Sequence, residues 1–276
     1  MARTGAPGAS GGSSGSGREA GGRETGGRKG GDGKVGGRKA GVDPELLWAQ
    51  PERPRLGRPP THSRAAITAE AVAIADTEGI AAVTMRAIAT RIGAGTMSLY
   101  SYVPNKETLL ELMVDQVSGE HRIPPEPSGD WRADLRQLAH EQRAMMRSHP
   151  WLAAALPSRQ TFGPHTLAVL EYALGLLGSA GVEAGARLET FSVLTGFVAS
   201  HVTYELAHEQ ATEAAGRAAG ELDAAQARYL GAIAATGRYP RLTEAMTPDT
   251  RHPAPAPQAV FDRLLDRMIN GLTAGA

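Results

Sequence analysis

Cysteine is absent from all 276 residues. That excludes disulfides, thiolate zinc sites and a cysteine nucleophile, and it fits a reducing cytoplasm. Long hydrophobic runs are missing too. None reaches the roughly 18 residues a membrane span needs, and the longest candidate, Leu167–Leu177, is broken by Glu171. No apolar signal segment stands at the N-terminus, so export is not expected. No segment alternates apolar and polar residues with period two for long, which argues against a sheet and for an all-α fold. Enzyme signatures are lacking: there is no nucleophile elbow, no His/Glu zinc motif and no phosphate loop. The chance pattern "GSG" at 15–17 has no strand before it and no helix after it. A net charge of zero, from 29 basic and 29 acidic residues, would also point away from nucleic acid if the charges were spread evenly. They are not.

Residues 1–62 carry half of all glycines, 17 of 34, with few large apolar side chains before Leu46. Such a segment buries too little surface to offset its ordering entropy, so disorder is expected across it. It holds 11 Lys and Arg against 6 Asp and Glu, a net of +5. "RPRLGRPP" at 53–60 closes it with Arg53, Arg55 and Arg58 held extended by prolines. By composition this is a solvated linker. Its position against the next domain suits a basic arm that lies along DNA phosphates or enters a minor groove.

Ordered structure is expected from Ser63, which can cap a helix with Ile67, Ala71, Ile74 and Ala75 on one face and Gly79 at its end. Thr84 caps a second helix, with Met85, Ile88, Ala89 and Ile92 on its face, closed by Gly93. Only "GAG" separates it from "TMSLYSYV", a turn of the length a helix-turn-helix requires. Asn105 then caps a helix striped by Leu109, Leu112, Met113 and Val117. In a helix-turn-helix the second element enters the major groove with its first residues toward the bases. Thr96, Met97 and Ser98 form that leading turn: hydroxyls for base edges, a thioether for a thymine methyl. Tyr100 and Tyr102 can reach flanking phosphates. Lys106 and Arg86, each at the start of a helix, add charge beside amides already disposed to hold an anion.

The stretch "ITAEAVAIADTEGIAAVTMRAIATRIGAGTMSLYSYVPNKETLLELMVDQV" resembles the N-terminal domain of the tetracycline-repressor (TetR) family over about 50 residues. Its marks are Glu78-Gly79, Thr84-Met85-Arg86, Ile88-Ala89, Gly93, Leu99-Tyr100 and Asn105-Lys106-Glu107. The resemblance implies that Thr84, Arg86, Thr96, Met97, Ser98, Tyr100, Ser101, Tyr102 and Lys106 face double-stranded DNA. Tyr102 stands where the family commonly has histidine and Val103 where it has an aromatic; both variants are similar to the branch containing the tetracycline repressor itself. Gly95 replaces the serine that commonly caps the recognition helix. Residues 63–121 hold 4 basic against 7 acidic residues, a net of −3, which raises the importance of the basic arm.

Residues 122–276 open with the proline-rich break "RIPPEPSGD". Helices are expected at 130–148, about 150–157, 164–179, 183–208, about 220–236 and 257–273. "DWRADLRQLAHEQRAMMRSHPW" and "FDRLLDRMINGL" resemble the C-terminal domains of the same branch, which bind a small molecule and dimerise. Val260, Phe261, Leu264, Leu265, Met268 and Leu272 make a wide stripe. Leu188, Phe191, Leu194, Val198, Val202 and Leu206 make a long one. Periodicity serves a core as well as a partner here, and the resemblance implies a four-helix homodimer interface. Polar and aromatic residues on apolar helical segments are candidates for a ligand cavity: His140, Arg143, Met146, Trp151, Phe162, His165, Tyr172, Phe191, Thr195, His201 and Tyr204. Such a lining would suit an apolar or aromatic effector. His201, Glu205 and His208 share a face at a spacing that could hold a metal, a pattern amphipathic helices often produce by chance. Neither a metal nor a cofactor is assigned.

Three units are therefore expected: a basic arm (1–62), a helix-turn-helix domain (63–121) and a helical ligand-binding and dimerisation domain (122–276). The leading function is a cytoplasmic, ligand-responsive, homodimeric repressor of a palindromic operator, with no membrane role. The competing one is a helical small-molecule binder or enzyme in which the helix-turn-helix is incidental. Selecting operators from random DNA separates the two.

Overall fold

The computed structural model describes residues 42–49, 62–156, 161–215, 218–246 and 256–274. The described residues contain helices and no strand, as the missing period-two pattern required. The expected arm falls largely outside them, Arg53, Arg55 and Arg58 included.

The first helix, α1 (Arg64–Glu78), begins where the Ser63 hydroxyl accepts the Ala66 amide at 3.1 Å and stops at Gly79, whose φ of 83° suits glycine. A single 3-10 turn, Ile80–Ala82, leads to α2 (Met85–Ile92), capped by the Thr84 hydroxyl on the Ala87 amide at 3.1 Å. Gly93, left-handed at φ 67°, ends α2 and turns the chain into α3 (Thr96–Leu99). Gly95 offers α3 no side-chain cap, as its lack of a side chain dictates. Asn105 then caps α4 (Lys106–Ser118) through the Thr108 amide at 2.6 Å. Ile67, Ile74, Ile88, Leu99, Val103, Leu109 and Met113 are fully buried together, so these four helices share one core.

Beyond the proline-rich break, Asp130 caps α5 (Trp131–Ser148) by accepting the Arg132 and Ala133 amides. Short α6 (Leu152–Ala155), then α7 (Pro164–Ser179), α8 (Arg187–Ala215), α9 (Ala218–Ala235), α10 (Pro240–Met246) and α11 (Pro257–Thr273) follow. The α5, α7, α8 and α11 helices pack around Leu135, Leu176, Leu177, Leu194, Phe261 and Leu265, and α4 lies against α7. The long helix runs past the expected 208 because "EQATEAA" continues it without a breaker. A 3-10 turn, Ala184–Ala186, occupies its expected first residues. Phe261 and Leu265 are core, whereas Val260, Leu264, Met268 and Leu272 on the same helix remain half-buried.

One part of the expected arm is ordered after all. Glu45–Ala49 forms a π-helical turn whose Leu47 is 6% exposed. The Trp48 indole N–H donates to Thr161 Oγ1 at 2.6 Å, and Arg64 donates to the Leu47 carbonyl at 3.1 Å. Asp43 starts the turn by accepting the Glu45 and Leu46 amides. The expectation of disorder fails here because "ELLWA" supplies the apolar surface that the glycine-rich stretch before it lacks.

Candidate nucleic-acid interface and internal cavity

Leu99 and Val103 are both 0% exposed and pin the α3 segment from below. What that leaves outside is the set the sequence singled out. Met97 is 82% exposed and Tyr100 44%; Ser98, Ser101, Thr84, Arg86 and Lys106 are exposed, and Thr96 and Tyr102 half-buried. Tyr102 packs one side against the core. The Ser98 hydroxyl donates to the Gly95 carbonyl and that of Ser101 to the Ser98 carbonyl, both at 2.6 Å, so their oxygens face outward as acceptors. Of the basic residues on α1 to α4, Arg91 is spent on Glu70 and Glu78, at 3.0 and 2.6 Å, fastening α2 to α1. Arg86 and Lys106 meet no carboxylate among the described residues.

At the other end of α4 lies a cavity of about 440 Å³. Ser118 and His121 close it from the α4 end, Gln142, Met145 and Met146 from α5, and Leu152, Ala153 and Leu156 from α6. Phe162 with Thr166, Val169 and Leu170 of α7, and Leu188, Phe191, Ser192, Thr195, Gly196 and Ala199 of α8, complete the wall. Four candidates from sequence are brought together there: Met146, Phe162, Phe191 and Thr195.

The other seven lie elsewhere, and each is occupied. Arg143 bonds Glu205 at 2.6 and 3.1 Å and stacks over Phe261 at 4.9 Å. His140 pairs with Asp262 at 3.1 Å and meets Phe261 edge-on. His201 lies 3.2 Å from Glu205 and also against Phe261. Trp151 donates to Asp76 at 2.7 Å, and His165 lies 3.1 Å from Asp115. Tyr172 packs on Leu138, Val169 and Ala173; its hydroxyl pKa is pushed up by burial, with Asp134 and Glu141 nearby. Tyr204 is 71% exposed and stacks on His208. Burial alone would raise Glu205, but bonds from Arg143 and the charges of Arg143, His201 and Arg147 hold it below the usual carboxylate range. Among the described residues no three His, Asp or Glu side chains are placed to hold a metal, and the His201–Glu205–His208 face is taken up by these arginines.

Five polar residues of the cavity were not foreseen: the hydroxyl-bearing Ser118, Thr166 and Ser192, and the larger Gln142 and His121. Gln142 was legible: it sits at helical spacing among Leu138, Met145 and Met146, a lone amide in an apolar stripe. His121 follows the end of α4, where no periodicity applies. Burial pushes its pKa down, against the opposing bond to the Ser118 carbonyl at 3.1 Å, so the ring stays neutral near pH 7.

One buried link joins α4 to the cavity wall, and a second contact ties α1 to the end of α4. Asp115, 4% exposed, accepts the Thr166 amide at 2.9 Å at the start of α7, and Ser118 and Thr166 hydroxyls meet at 3.2 Å. His149, beside α6, lies 2.8 Å from Asp76 of α1 and 3.2 Å from Glu120, just beyond α4.

Both halves of the chain match models of known protein families. The model described as "Bacterial regulatory proteins, tetR family" matches residues 67–113, and "Tetracyclin repressor-like, C-terminal domain" matches residues 123–275. The chain is similar to the HTH-type transcriptional repressor DrrR1 of Streptomyces coeruleorubidus, 35% identical over 232 residues, 83% of each chain. An HTH-type transcriptional regulator of Saccharopolyspora erythraea is 31% identical over 233 residues, 84% of this chain and 93% of the relative. Among solved structures, the Streptomyces coelicolor TetR family protein ActR in complex with (S)-DNPA matches at a TM-score of 0.64 and 27% identity, covering 79% of this chain and all of that one. ActR in complex with actinorhodin matches with the same score and identity, over 78% of this chain and 98% of that one.

Proposed function

The chain belongs to the TetR family of transcriptional regulators, and from that premise we propose that it is a cytoplasmic homodimer that represses transcription at a palindromic operator until a small effector releases it. It is a DNA-binding regulator and not an enzyme. The α3 segment would read base edges through Thr96, Met97 and Ser98, while Thr84, Arg86, Tyr100, Ser101, Tyr102 and Lys106 hold phosphates. Arg53, Arg55 and Arg58 would add the positive charge that residues 63–121 lack. Residues 122–276 would carry the effector site and, through the half-buried Val260, Leu264, Met268 and Leu272 of α11, the dimer contact; the expected α8 stripe is instead taken up within the chain, with Leu194, Val198 and Val202 in its core and Leu188 and Phe191 on the cavity wall.

The observation that supports this best is one helix touching both ends of the problem. Leu109 and Met113 hold α4 to the core beneath α3, and Ser118 at its far end lines the cavity. An apolar or aromatic molecule entering among α5, α7 and α8 would press on that end. ActR is seen with (S)-DNPA and with actinorhodin; the mostly apolar wall here suits a molecule of comparable kind. Operator release then requires that the effector bind the wrongly spaced dimer more tightly, and a hundredfold preference is worth about 2.7 kcal/mol.

Selection of bound sequences from random DNA tests the reading. Enrichment of a single palindrome, bound by two chains, is the expected result. Enrichment of nothing, or of a lone asymmetric site bound by one chain, would sink it.

A further inference from the structure

The cavity wall is apolar except for a few groups, and two of these are buried acceptors that meet no donor among the described residues. His121 has its Nδ1 3.1 Å from the Ser118 carbonyl, which can only accept, so the ring proton sits on Nδ1 and Nε2 is a bare acceptor. That Nε2 is buried and meets no partner among the described residues. Gln142 is 5% exposed; its amide nitrogen donates to Thr195 Oγ1 at 3.3 Å, and its Oε1 is likewise buried without a partner. The neighbouring hydroxyls do not redress the balance. Ser118 donates to the Val114 carbonyl, Thr166 to Ser118, and Ser192 to the Leu188 carbonyl. Three of the wall's hydroxyls thus spend their protons on the chain itself, while two of its buried acceptors are left unmet. A buried acceptor left unmet is costly, and a molecule that supplies the missing proton recovers that cost.

We propose that the effector is an apolar, drug-sized molecule bearing hydroxyl or N–H donors at the end that meets His121 and Gln142, and that carboxylates and ethers at that end are rejected. This rests on the effector-site reading above and adds to it the chemistry of the ligand. An ether brings a third acceptor to two that already lack a donor. A carboxylate brings acceptors and also a charge that this wall does not pair.

The test uses matched triples on naphthalene, anthracene and steroid frames: the diol, its dimethyl ether and the dicarboxylate. Binding is measured by calorimetry on the full chain and on His121→Phe and Gln142→Leu. The diol of at least one frame should bind about tenfold or more tightly than its ether and its carboxylate, a ratio equivalent to about 1.4 kcal/mol. Either substitution should shrink that preference toward one. Without ligand, Gln142→Leu should hold or raise Tm, because it removes an unmet acceptor; a merely structural glutamine would lower it. Ethers or carboxylates binding as well as diols, a preference that survives both substitutions, or no frame binding at all would overturn the proposal. Operator selection on the same preparation separates the two readings. A chain that enriches a palindrome but prefers carboxylates loses this inference and keeps its regulator role, whereas one that enriches no palindrome loses the regulator reading itself.

Discussion

Tyr100 and Ser98 stand two residues apart on the same exposed surface, yet their surroundings assign them different work. Tyr100 leaves the end of α3 with its ring outward, within reach of the backbone that borders a groove. Tyr100→Phe is expected to weaken binding to every DNA sequence by a similar factor, because a lost phosphate contact carries no base preference. Ser98 lies in the leading turn with its oxygen free to accept. Ser98→Ala is expected to cost about 1–3 kcal/mol at particular base pairs and little elsewhere. Affinities across a set of single-base operator variants check both, and a base-specific loss from Tyr100→Phe would reverse the assignment. His149 works through charge instead. Burial pulls its pKa down, but bonds to Asp76 and Glu120 outweigh that and leave it raised. A histidine with a raised folded pKa stabilises fully below its unfolded value, and that contribution is lost as pH rises through the folded one. Thermal midpoints should therefore fall from the ordinary histidine pKa upward, and His149→Gln should flatten that fall. An unchanged pH profile in the variant would show that the link between α1 and α4 does not depend on charge.

At the scale of elements, the helix ends were legible because caps are local chemistry: Ser63, Thr84, Gly93, Asn105 and Asp130 each act within four residues of themselves. The stripe of α4 was legible for the same reason. Cavity membership was not, because it depends on which helices meet. Arg143 and His201 look like ligand groups along the sequence, and only the approach of α8 to α5 and α11 commits them to Glu205 and Phe261. The turn at Glu45–Ala49 escaped because its stabilising partners, Thr161 and Arg64, lie far off or outside it. Docking of α7 on α4 hangs on a similarly distant pair. A methyl group at Gly163 would collide with the Asp115 carboxylate, which also holds the Thr166 amide. Gly163→Ala should thus cost about 1–3 kcal/mol, the range for stranding a buried polar group. Asp115→Asn, which keeps the shape, should cost less. Chemical denaturation of both variants checks this; an unaffected Gly163→Ala would mean that the start of α7 adjusts freely.

For the whole molecule, affinity, spacing and release must come from different regions acting together. The basic arm is proposed to supply sequence-independent attraction. Because residues 42–49 dock on the body, it is tested better by substitution than by truncation. Changing Arg53, Arg55 and Arg58 to alanine should reduce the slope of log K against log salt by up to about 2.7, from three phosphate contacts. An unaltered slope would make the segment a passive linker. Spacing and release are the central claim: two α3 segments held about one turn of B-DNA apart, roughly 34 Å, and moved out of register by an effector through α4. Absence of cysteine makes this directly measurable, since Thr90→Cys creates a single labelling site per chain at an exposed position of α2, next to the recognition segment and outside the residues proposed to touch DNA. Pulsed electron–electron resonance between spin labels at that site, on the selected operator, should give one narrow distance near the spacing of adjacent half-sites. An effector should shift or broaden it, and Leu112→Ala or Val117→Ala should blunt that response. No dipolar coupling at all, or a distance that stays fixed while the effector releases DNA, would contradict a dimer switched by the spacing of its recognition helices.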